Sequence, residues 1–312
     1  MELFFCELCT VSLSKLHAPV AESHGVKIHC PPEGRFSFFN SPYPSHKAKT
    51  VVDVYPGLGF GEDAPSPVEG RVIKVRRLKA PPGRGFKDAG YEIVTLIDPG
   101  VPGILVKLLH VDTTLKEGDL VEVGDTLGGL LRSGYYGWGT SSHIHVEVRK
   151  TGDAIRARGG YELNNLVKLS SVKPTAVIRG TVEVSKPEYT LMRLDGGKVG
   201  LIGEVNSEPC VLDGGIPYYG WMGVHTPKPT LGTIMLAGKT VGDVEKLHAD
   251  ACTAKSRSFT VKAQGTELLG LSLYLKPVGE PLIKMIPRKI GGLSVGVGDS
   301  VEVEIGYPLI RH

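Results

Sequence analysis

The sequence predicts a mainly β protein with two consecutive β-rich domains, and three observations support this. Helical periodicity is scarce, whereas short segments rich in β-branched residues recur along the chain. The 41 glycines and 22 prolines supply many turns and make up about a fifth of the 312 residues. Regularly spaced short strands of this kind are typical of antiparallel sandwiches and barrels.

Seven segments predict strands because they are rich in Val, Ile, Thr and aromatic residues and are bounded by Gly, Pro, Asp or Asn. They are residues 51–55, 70–75, 91–97, 104–110, 120–123, 143–149 and 176–184. Two segments predict helices. In residues 241–252 the side chains of Val241, Val244 and Leu247 recur at helical spacing, and residues 162–169 show a weaker pattern.

The character of the chain changes over residues 151–175, which are polar and rich in Gly and Ser. We therefore predict a lead-in over residues 1–44, a first domain over 45–165 and a second β-rich domain over 172–312. The second domain has no comparable cluster of reactive side chains. Its aromatic segment, residues 216–222, predicts hairpin packing more than a ligand site.

Charge and hydropathy limit the partners and the compartment. The chain has 36 basic and 33 acidic residues, so its net charge of +3 does not favour nucleic acid or an anionic membrane as a partner. No run of eighteen apolar residues predicts a membrane span, and Glu2 and Glu7 do not fit a secretory signal. We expect a cytoplasmic protein.

The five cysteines are an odd number in a long chain, which favours a reducing compartment over a disulfide scaffold. Cys6 and Cys9 form a C-x-x-C pair, and His29 and Cys30 follow later. Adjacent His and Cys do not have the usual spacing of structural zinc ligands. A zinc site there remains an open alternative.

The most informative segment is S-S-H-I-H-V-E-V, residues 141–148. Side chains alternate along a strand, so His143, His145 and Glu147 face one side of it. An H-x-H pair is a weak signal by itself, since polar residues often occupy the solvent face of a strand. We do not include Glu147 among the predicted metal ligands.

Two other predicted strands carry similar residues. His110 ends the apolar strand 104–110, and His46 and Asp53 flank or occupy the strand 51–55. A carboxylate in an apolar strand is costly to bury unless it is paired, hydrogen-bonded or bound to a metal. We therefore expect these side chains to converge on one ion, although Asp53 could instead cap a turn or pair with Lys49.

In order along the chain, these residues and the segments between them resemble the lysostaphin or LytM type of zinc metallopeptidase, which has the duplicated-hybrid-motif fold. The resemblance covers residues 45–150, about a third of the chain. It is carried by His46, Asp53, A-P-S-P-V-E-G-R-V-I-K-V (64–75), L-L-H (108–110), L-K-E-G-D-L-V-E-V-G-D-T-L-G (115–128) and S-S-H-I-H-V-E-V (141–148).

The resemblance implies a role for each residue that matches the family's motifs. It implies that His46, Asp53 and His145 bind Zn²⁺, that His143 is the general base and that His110 stabilises the oxyanion. Three protein ligands leave a position open for water, in agreement with catalytic zinc sites in general.

One departure from the family pattern concerns the first pair of ligands. The family has three residues between its His and Asp, whereas six residues separate His46 from Asp53, and Lys49 stands where the family has His. A protonated lysine cannot bind the metal. On a regular strand His46 would face away from Asp53, so either a bulge or loop brings it back, or the site lacks one ligand.

The resemblance implies a zinc-dependent endopeptidase that acts on peptidoglycan cross-bridges or Gly-rich peptides. The alternative is a catalytically degenerate module of the same fold that binds a peptide or protein partner. A biotinyl or lipoyl carrier has similar β units, but it needs a displayed lysine, usually beside methionine, and this region has no Met-Lys pair. The sequence does not predict the oligomeric state.

Overall fold

The computed structural model describes residues 17–169 and 173–307, and almost all of their regular structure is β. The expected fold class is confirmed: an antiparallel β domain is followed by a second β-rich domain, and every strand pairing is antiparallel. Cys6 and Cys9 lie outside the described residues. Within those residues, no helix is long and apolar enough to cross a bilayer.

Besides a 3-10 turn at Thr151–Asp153, the N-terminal domain contains thirteen strands and one short α-helix in the described residues. They are β1 Ala18–Ser23, β2 Val26–Cys30, β3 Arg35–Ser37, α1 Pro44–Lys47, β4 Val52–Tyr55, β5 Asp63–Pro65, β6 Gly70–Lys79, β7 Tyr91–Asp98, β8 Ile104–Leu109, β9 Val111–Thr113, β10 Leu120–Val121, β11 Thr126–Leu130, β12 Ile144–Lys150 and β13 Asn164–Asn165. Seven strands form the main sheet in the order β10-β6-β7-β8-β12-β4-β3. Two three-stranded sheets, β13-β1-β2 and β5-β11-β9, complete the domain.

The Gly-Asp turns of the 115–128 motif close two tight loops in this domain. The Asp119 carboxylate accepts a hydrogen bond from the Lys116 amide, and the Asp125 carboxylate accepts one from the Glu122 amide, each at 2.8 Å. Gly118, within the first loop, has φ +102°, a backbone angle that other residues rarely adopt. The turns place β10 beside β6 and β11 beside β5.

The C-terminal domain contains twelve strands in the described residues. They are β14 Ile178–Ser185, β15 Thr190–Leu194, β16 Leu201–Val205, β17 Glu208–Ile216, β18 Trp221–His225, β19 Thr233–Leu236, β20 Lys239–Leu247, β21 Ala251–Ser256, β22 Thr260–Ala263, β23 Thr266–Leu273, β24 Leu282–Pro287 and β25 Ser300–Gly306. The pairing of β16 with β17 closes one six-stranded ring, and the pairing of β23 with β24 closes another. Strand β17 takes part in the first ring and pairs with β23 of the second.

Both helix predictions were wrong. Residues 241–247 belong to β20, whose register shifts between Val244 and Lys246. This irregularity changes which face each residue occupies, so the apolar spacing imitates a helical period. Residues 162–169 contain only the short strand β13, which pairs with β1.

The hydrophobic core continues from one domain into the other. Phe36 of β3 is fully buried, as are Phe38 and Phe39 just after the strand, in a cluster that includes Val211 and Leu275 of the C-terminal domain. Phe36 also exchanges two backbone hydrogen bonds with Leu275, at 2.9 and 2.8 Å. The C-terminal domain therefore packs directly on the segment that leads to α1.

Candidate metal centre

Asp53 and His145 lie directly opposite each other on the neighbouring strands β4 and β12. Paired residues project from the same face of a sheet, so the two side chains meet. His145 Nδ1 lies 3.0 Å from Asp53 Oδ1. Their exposed fractions are 7 % for His145 and 1 % for Asp53, so the carboxylate depends on protein partners rather than on solvent.

His46 reaches the same carboxylate from helix α1. Its Nδ1 lies 2.8 Å from the carbonyl oxygen of Phe38, and its Nε2 lies 3.7 Å from Asp53 Oδ2. The strand-parity argument therefore does not apply, because the residue lies on a helix before the strand begins. One ligand atom from each of His46, Asp53 and His145 lies within 4.8 Å of the other two, so the group could hold a metal ion.

Glu147 holds the other side of the His145 ring, since its Oε1 lies 3.1 Å from His145 Nε2. The carboxylate is itself held by Lys107 at 2.8 Å and by Arg149 at 2.5 Å. Burial alone would raise the pKa of Glu147, but its bonds to His145 and Lys107 lower it to about 2. Glu147 is thus a charged partner that orients the imidazole, as such carboxylates do behind metal-binding histidines.

His143 comes one residue before β12 and lies beside the group. Its Nδ1 lies 2.9 Å from the carbonyl oxygen of Ser141, so this nitrogen carries the hydrogen and Nε2 is unprotonated. Nε2 lies 3.5 Å from Asp53 Oδ2. The ring stacks on Tyr136, with 4.9 Å between centroids.

His110 lies on the other side of His143, with 5.0 Å between the ring centroids. Its backbone has φ +70°, which turns the chain between β8 and β9. Glu92 binds both its amide, at 2.8 Å, and its Nδ1, at 2.7 Å. Nε2 is therefore the ring nitrogen that remains for the cleft.

The charges of this group are set by burial and by one another. Burial favours the neutral form of Asp53, but the nearby His143, His46 and His145 lower its pKa well below the usual value. Burial lowers the pKa of His46 and of His143, so both rings are neutral at neutral pH. For His145, hydrogen bonds to Asp53 and Glu147 outweigh burial and raise its pKa to about 9.

The sequence of each domain matches one half of a single family. Residues 28–165 match the N-terminal domain of a family described as a domain of unknown function (DUF8155), and residues 178–306 match its C-terminal domain. The chain carries both DUF8155 domains. A search of curated proteins finds no match to this sequence.

Among solved structures, the DUF8155 chain is similar to two structures of lysostaphin. "NMR solution structure of lysostaphin" has 13 % sequence identity and a TM-score of 0.25, and the match covers 72 % of this chain and 88 % of that chain. "The antimicrobial peptidase lysostaphin from Staphylococcus simulans" has 14 % identity and a TM-score of 0.26, with 85 % and 94 % of the two chains covered.

A cleft of about 470 Å³ opens over the His and Asp group. Tyr43 and Tyr135 form part of its edge, with exposed fractions of 45 and 42 %, and the Tyr43 hydroxyl donates to the Tyr135 carbonyl at 3.3 Å. Tyr219 of the DUF8155 C-terminal domain also lines the cleft. Both domains therefore contribute to the surface that a ligand would contact.

The C-terminal domain also holds the peptide that orients His46. Asp213, on β17, accepts a hydrogen bond from the Phe38 amide at 2.8 Å and another from the Ser37 hydroxyl. The carbonyl of the same residue, Phe38, is the partner of His46 Nδ1. His225 lies 3.1 Å from Asp213 and, like it, is fully buried.

A second set of contacts holds the residues after His46. Lys49 does not pair with Asp53: its buried ammonium binds Asp250 of the C-terminal domain. The Thr253 hydroxyl donates to the Lys47 carbonyl at 3.0 Å. The C-terminal domain thus contacts the segment around α1 at both of its ends.

The structure brings together all five residues singled out from the sequence, namely His46, Asp53, His110, His143 and His145. Sequence reasoning missed Glu92 and Asp213, which orient His110 and the Phe38 peptide. Each is a carboxylate within an otherwise apolar strand, which is the same sequence feature that made Asp53 a candidate. Cys30 is buried, and its thiol donates weakly to the Arg35 carbonyl at 3.6 Å.

Proposed function

We propose that this protein is a zinc-dependent endopeptidase whose metal ligands are His46, Asp53 and His145. One observation carries the proposal. A backbone carbonyl or a carboxylate holds one nitrogen of each of four imidazoles around one cleft. The second nitrogen of His46, His110 and His143 makes no hydrogen bond in the described part of the chain, and that of His145 lies 3.0 Å from its fellow candidate ligand Asp53. Such partners fix the tautomer and orientation of metal-binding and catalytic histidines.

The donor set fits zinc. Two imidazoles and one carboxylate form one of the ligand sets of catalytic zinc sites, which keep a fourth position open. When bound, zinc acts as a Lewis acid and lowers the pKa of the attacking water to about 7.

Two further histidines support the chemistry of peptide hydrolysis. The neutral His143 can accept a proton at Nε2, because its Nδ1 hydrogen is engaged by the Ser141 carbonyl. His110 faces the same cleft, and the Glu92 carboxylate behind it stabilises positive charge on the ring as Nε2 donates to a developing oxyanion.

The substrate class is proposed from the resemblance and from the cleft. Lysostaphin-type peptidases act on peptidoglycan cross-bridges and Gly-rich peptides, and an extended peptide would run along the edge of the cleft that the exposed Tyr43 and Tyr135 form. Tyrosine rings offer apolar faces to a backbone that has no side chains of its own.

The first test is metal content by elemental mass spectrometry on protein purified without chelator, together with hydrolysis of pentaglycine followed by mass spectrometry. We expect about one zinc per chain. His143→Ala should keep the zinc and lower hydrolysis by at least 100-fold, in line with general-base catalysis. His145→Ala should lose both.

The Cys6→Ser, Cys9→Ser double variant is the control, and it should keep both zinc and hydrolysis. Absence of zinc from the parent protein would contradict the proposal, as would zinc that is lost only in the cysteine variant. Either result would favour the alternative, a module of this fold that binds a peptide or protein partner without cleaving it.

A further inference from the structure

A groove of about 330 Å³ lies between the two domains, next to the cleft. Thr140 lines both the groove and the cleft, so the two are adjacent along the segment that leads to His143. Leu58 and Phe60 line the groove from the N-terminal domain, and Tyr189 and Leu191 line it from the C-terminal domain. A ligand long enough to leave the cleft past Thr140 would enter this groove.

Arg35 lines the groove and is 95 % buried, with an exposed fraction of 5 %. Its guanidinium carbon lies 5.1 Å from the centroid of the Tyr55 ring and 4.6 Å from that of Tyr274. Its Nε and the Tyr274 hydroxyl have no hydrogen-bond partner in the part of the chain that the structure describes. No described carboxylate forms an ion pair with Arg35. A buried charge without a counter-charge is costly.

A second buried cation lies close to Arg35. Lys284, on β24, is 2 % exposed and donates to the Gly139 carbonyl at 2.7 Å. Its Nζ is 3.4 Å from the Ser141 hydroxyl and faces the Tyr189 and Tyr274 rings. Burial and the positive charge of Arg35 lower the pKa of Lys284 to about 7. An anion beside Arg35 would offset this repulsion and stabilise the protonated form of Lys284.

The other charged residues of the groove leave an excess of positive charge. Arg132 and Lys186 add to Arg35, whereas Glu62 and Glu188 oppose it. Glu62 is already engaged, because its carboxylate accepts a hydrogen bond from the Gly59 amide. Arg132 stacks against Phe60 and is only partly buried, and Lys186 is exposed, which leaves Arg35 as the buried cation of the groove.

We infer that Arg35 binds a carboxylate of the peptide that occupies the cleft. The peptide as ligand rests on the proposed function, whereas the anion site rests on Arg35 and its surroundings. A guanidinium offers paired donors that match a carboxylate, and the two aromatic rings keep its plane in place. This anchor would select peptides with an acidic group at a set distance from the metal centre.

Strand geometry places Arg35 near the metal centre. Arg35 pairs with Tyr55, and Ser37 pairs with Asp53, so Arg35 is a diagonal neighbour of Asp53 on the same face of the sheet. Diagonal neighbours are about 7–8 Å apart, and an extended peptide rises about 3.3 Å per residue. One extended peptide of a few residues is therefore long enough to reach both Arg35 and the metal centre.

The test compares the binding of pentaglycine and pentaglycinamide to the full-length protein after dialysis against a chelator, by isothermal titration calorimetry. We expect the free acid to bind at least tenfold more tightly than the amide. Arg35→Gln should remove this preference, and Arg179→Gln, which removes an exposed arginine of the C-terminal domain, should keep it.

A third peptide, Gly-Gly-Gly-Gly-Glu with an amidated C-terminus, separates the two sources of a carboxylate. Tighter binding of this peptide than of pentaglycinamide would support the site with an acidic side chain as its ligand, and tight binding of the free acid alone would support it with a chain terminus. Equal affinities for all three peptides, including no binding by any of them, would overturn the inference.

The test depends neither on the folding of one variant nor on the proposed peptidase activity. The comparison of free acid with amide needs no variant, and Arg35→Lys retains the charge without the paired donors if Arg35→Gln does not fold. If the protein prefers the free acid but neither binds zinc nor cleaves peptides, the anion site is supported and the proposed peptidase is contradicted. Zinc-dependent hydrolysis without a preference for the free acid would support the proposed peptidase and overturn the anion site.

Discussion

At the scale of single residues, the chemistry of the site depends on groups that lie behind the histidines. His145 is held by Glu147, and His110 is held by Glu92; both carboxylates are buried and have a lowered pKa, at about 2. Only the first of these rings belongs to the proposed metal ligands. The Glu147–His145 and Glu92–His110 contacts are therefore similar in burial and charge, but only the first one supports a proposed metal ligand.

Glu147→Gln should weaken zinc binding by about 10–100-fold, because the neutral amide no longer supports the charge and orientation of His145. The measurement is the zinc dissociation constant by competition with a chromogenic chelator. Glu92→Gln is the control, and it should leave the zinc affinity within about twofold of the parent. Equal loss in both variants would indicate general damage to the buried site and would contradict the specific role of Glu147.

At the scale of elements, the decisive segment lies between β3 and β4. Alternation along a strand correctly relates Asp53 to Tyr55 and His143 to His145, but it cannot describe His46, which lies on α1. Phe39, near the start of this segment, packs against β17 and β18, where Gly223 leaves room for its ring. The position of His46 therefore depends on strands that lie more than 150 residues later in the chain.

Gly223→Ala should lower both stability and zinc affinity. A Cβ at this position would lie 2.0 Å from Phe39 Cδ2, so the ring and its neighbour Phe38 must shift. Overpacking of this kind costs about 1–3 kcal/mol, measured as the free energy of unfolding in urea. Gly152→Ala is the control, since a Cβ there meets no atom within 4 Å, and it should change neither quantity. Unchanged zinc affinity in Gly223→Ala would show that the metal centre does not depend on the contact between Gly223 and Phe39.

At the scale of the whole molecule, the two domains share one core and exchange buried polar contacts. Asp213 holds the Phe38 peptide, Asp250 holds Lys49, and Lys284 holds the Gly139 carbonyl. All three come from the C-terminal domain and contact segments that lead to His46 or His143. The C-terminal domain is therefore part of the framework of the candidate site.

The buried Lys284 predicts a pH dependence of stability. Its pKa is about 7 in the folded protein and near 10.5 when unfolded, so between these values the unfolded chain holds one more proton. The contribution of Lys284 to the free energy of unfolding should then rise with pH, by up to about 1.4 kcal/mol per unit between pH 7 and 9. Below pH 7 both states are protonated, and the contribution no longer changes.

Lys284→Met should remove this rise, so the difference in unfolding free energy between the parent and the variant should change with pH over that window. Urea denaturation at pH 7, 8 and 9 measures it. Lys262→Met, which alters an exposed lysine, should follow the parent at every pH. A constant difference between the parent and Lys284→Met would show that the lysine does not titrate there.

The sequence alone predicts the mainly β class, six of the seven strands of the main sheet, and the five residues His46, Asp53, His110, His143 and His145 as one candidate group. It could do so because alternation and β-branched composition are local properties, and because a carboxylate in an apolar strand is conspicuous. Only the folded structure shows how His46 reaches Asp53, which carboxylates hold the imidazoles, and how the C-terminal domain contributes to the site. These features depend on contacts such as that of Asp213 with Phe38, which are 175 positions apart. Contacts over such distances produce no periodic pattern in the sequence.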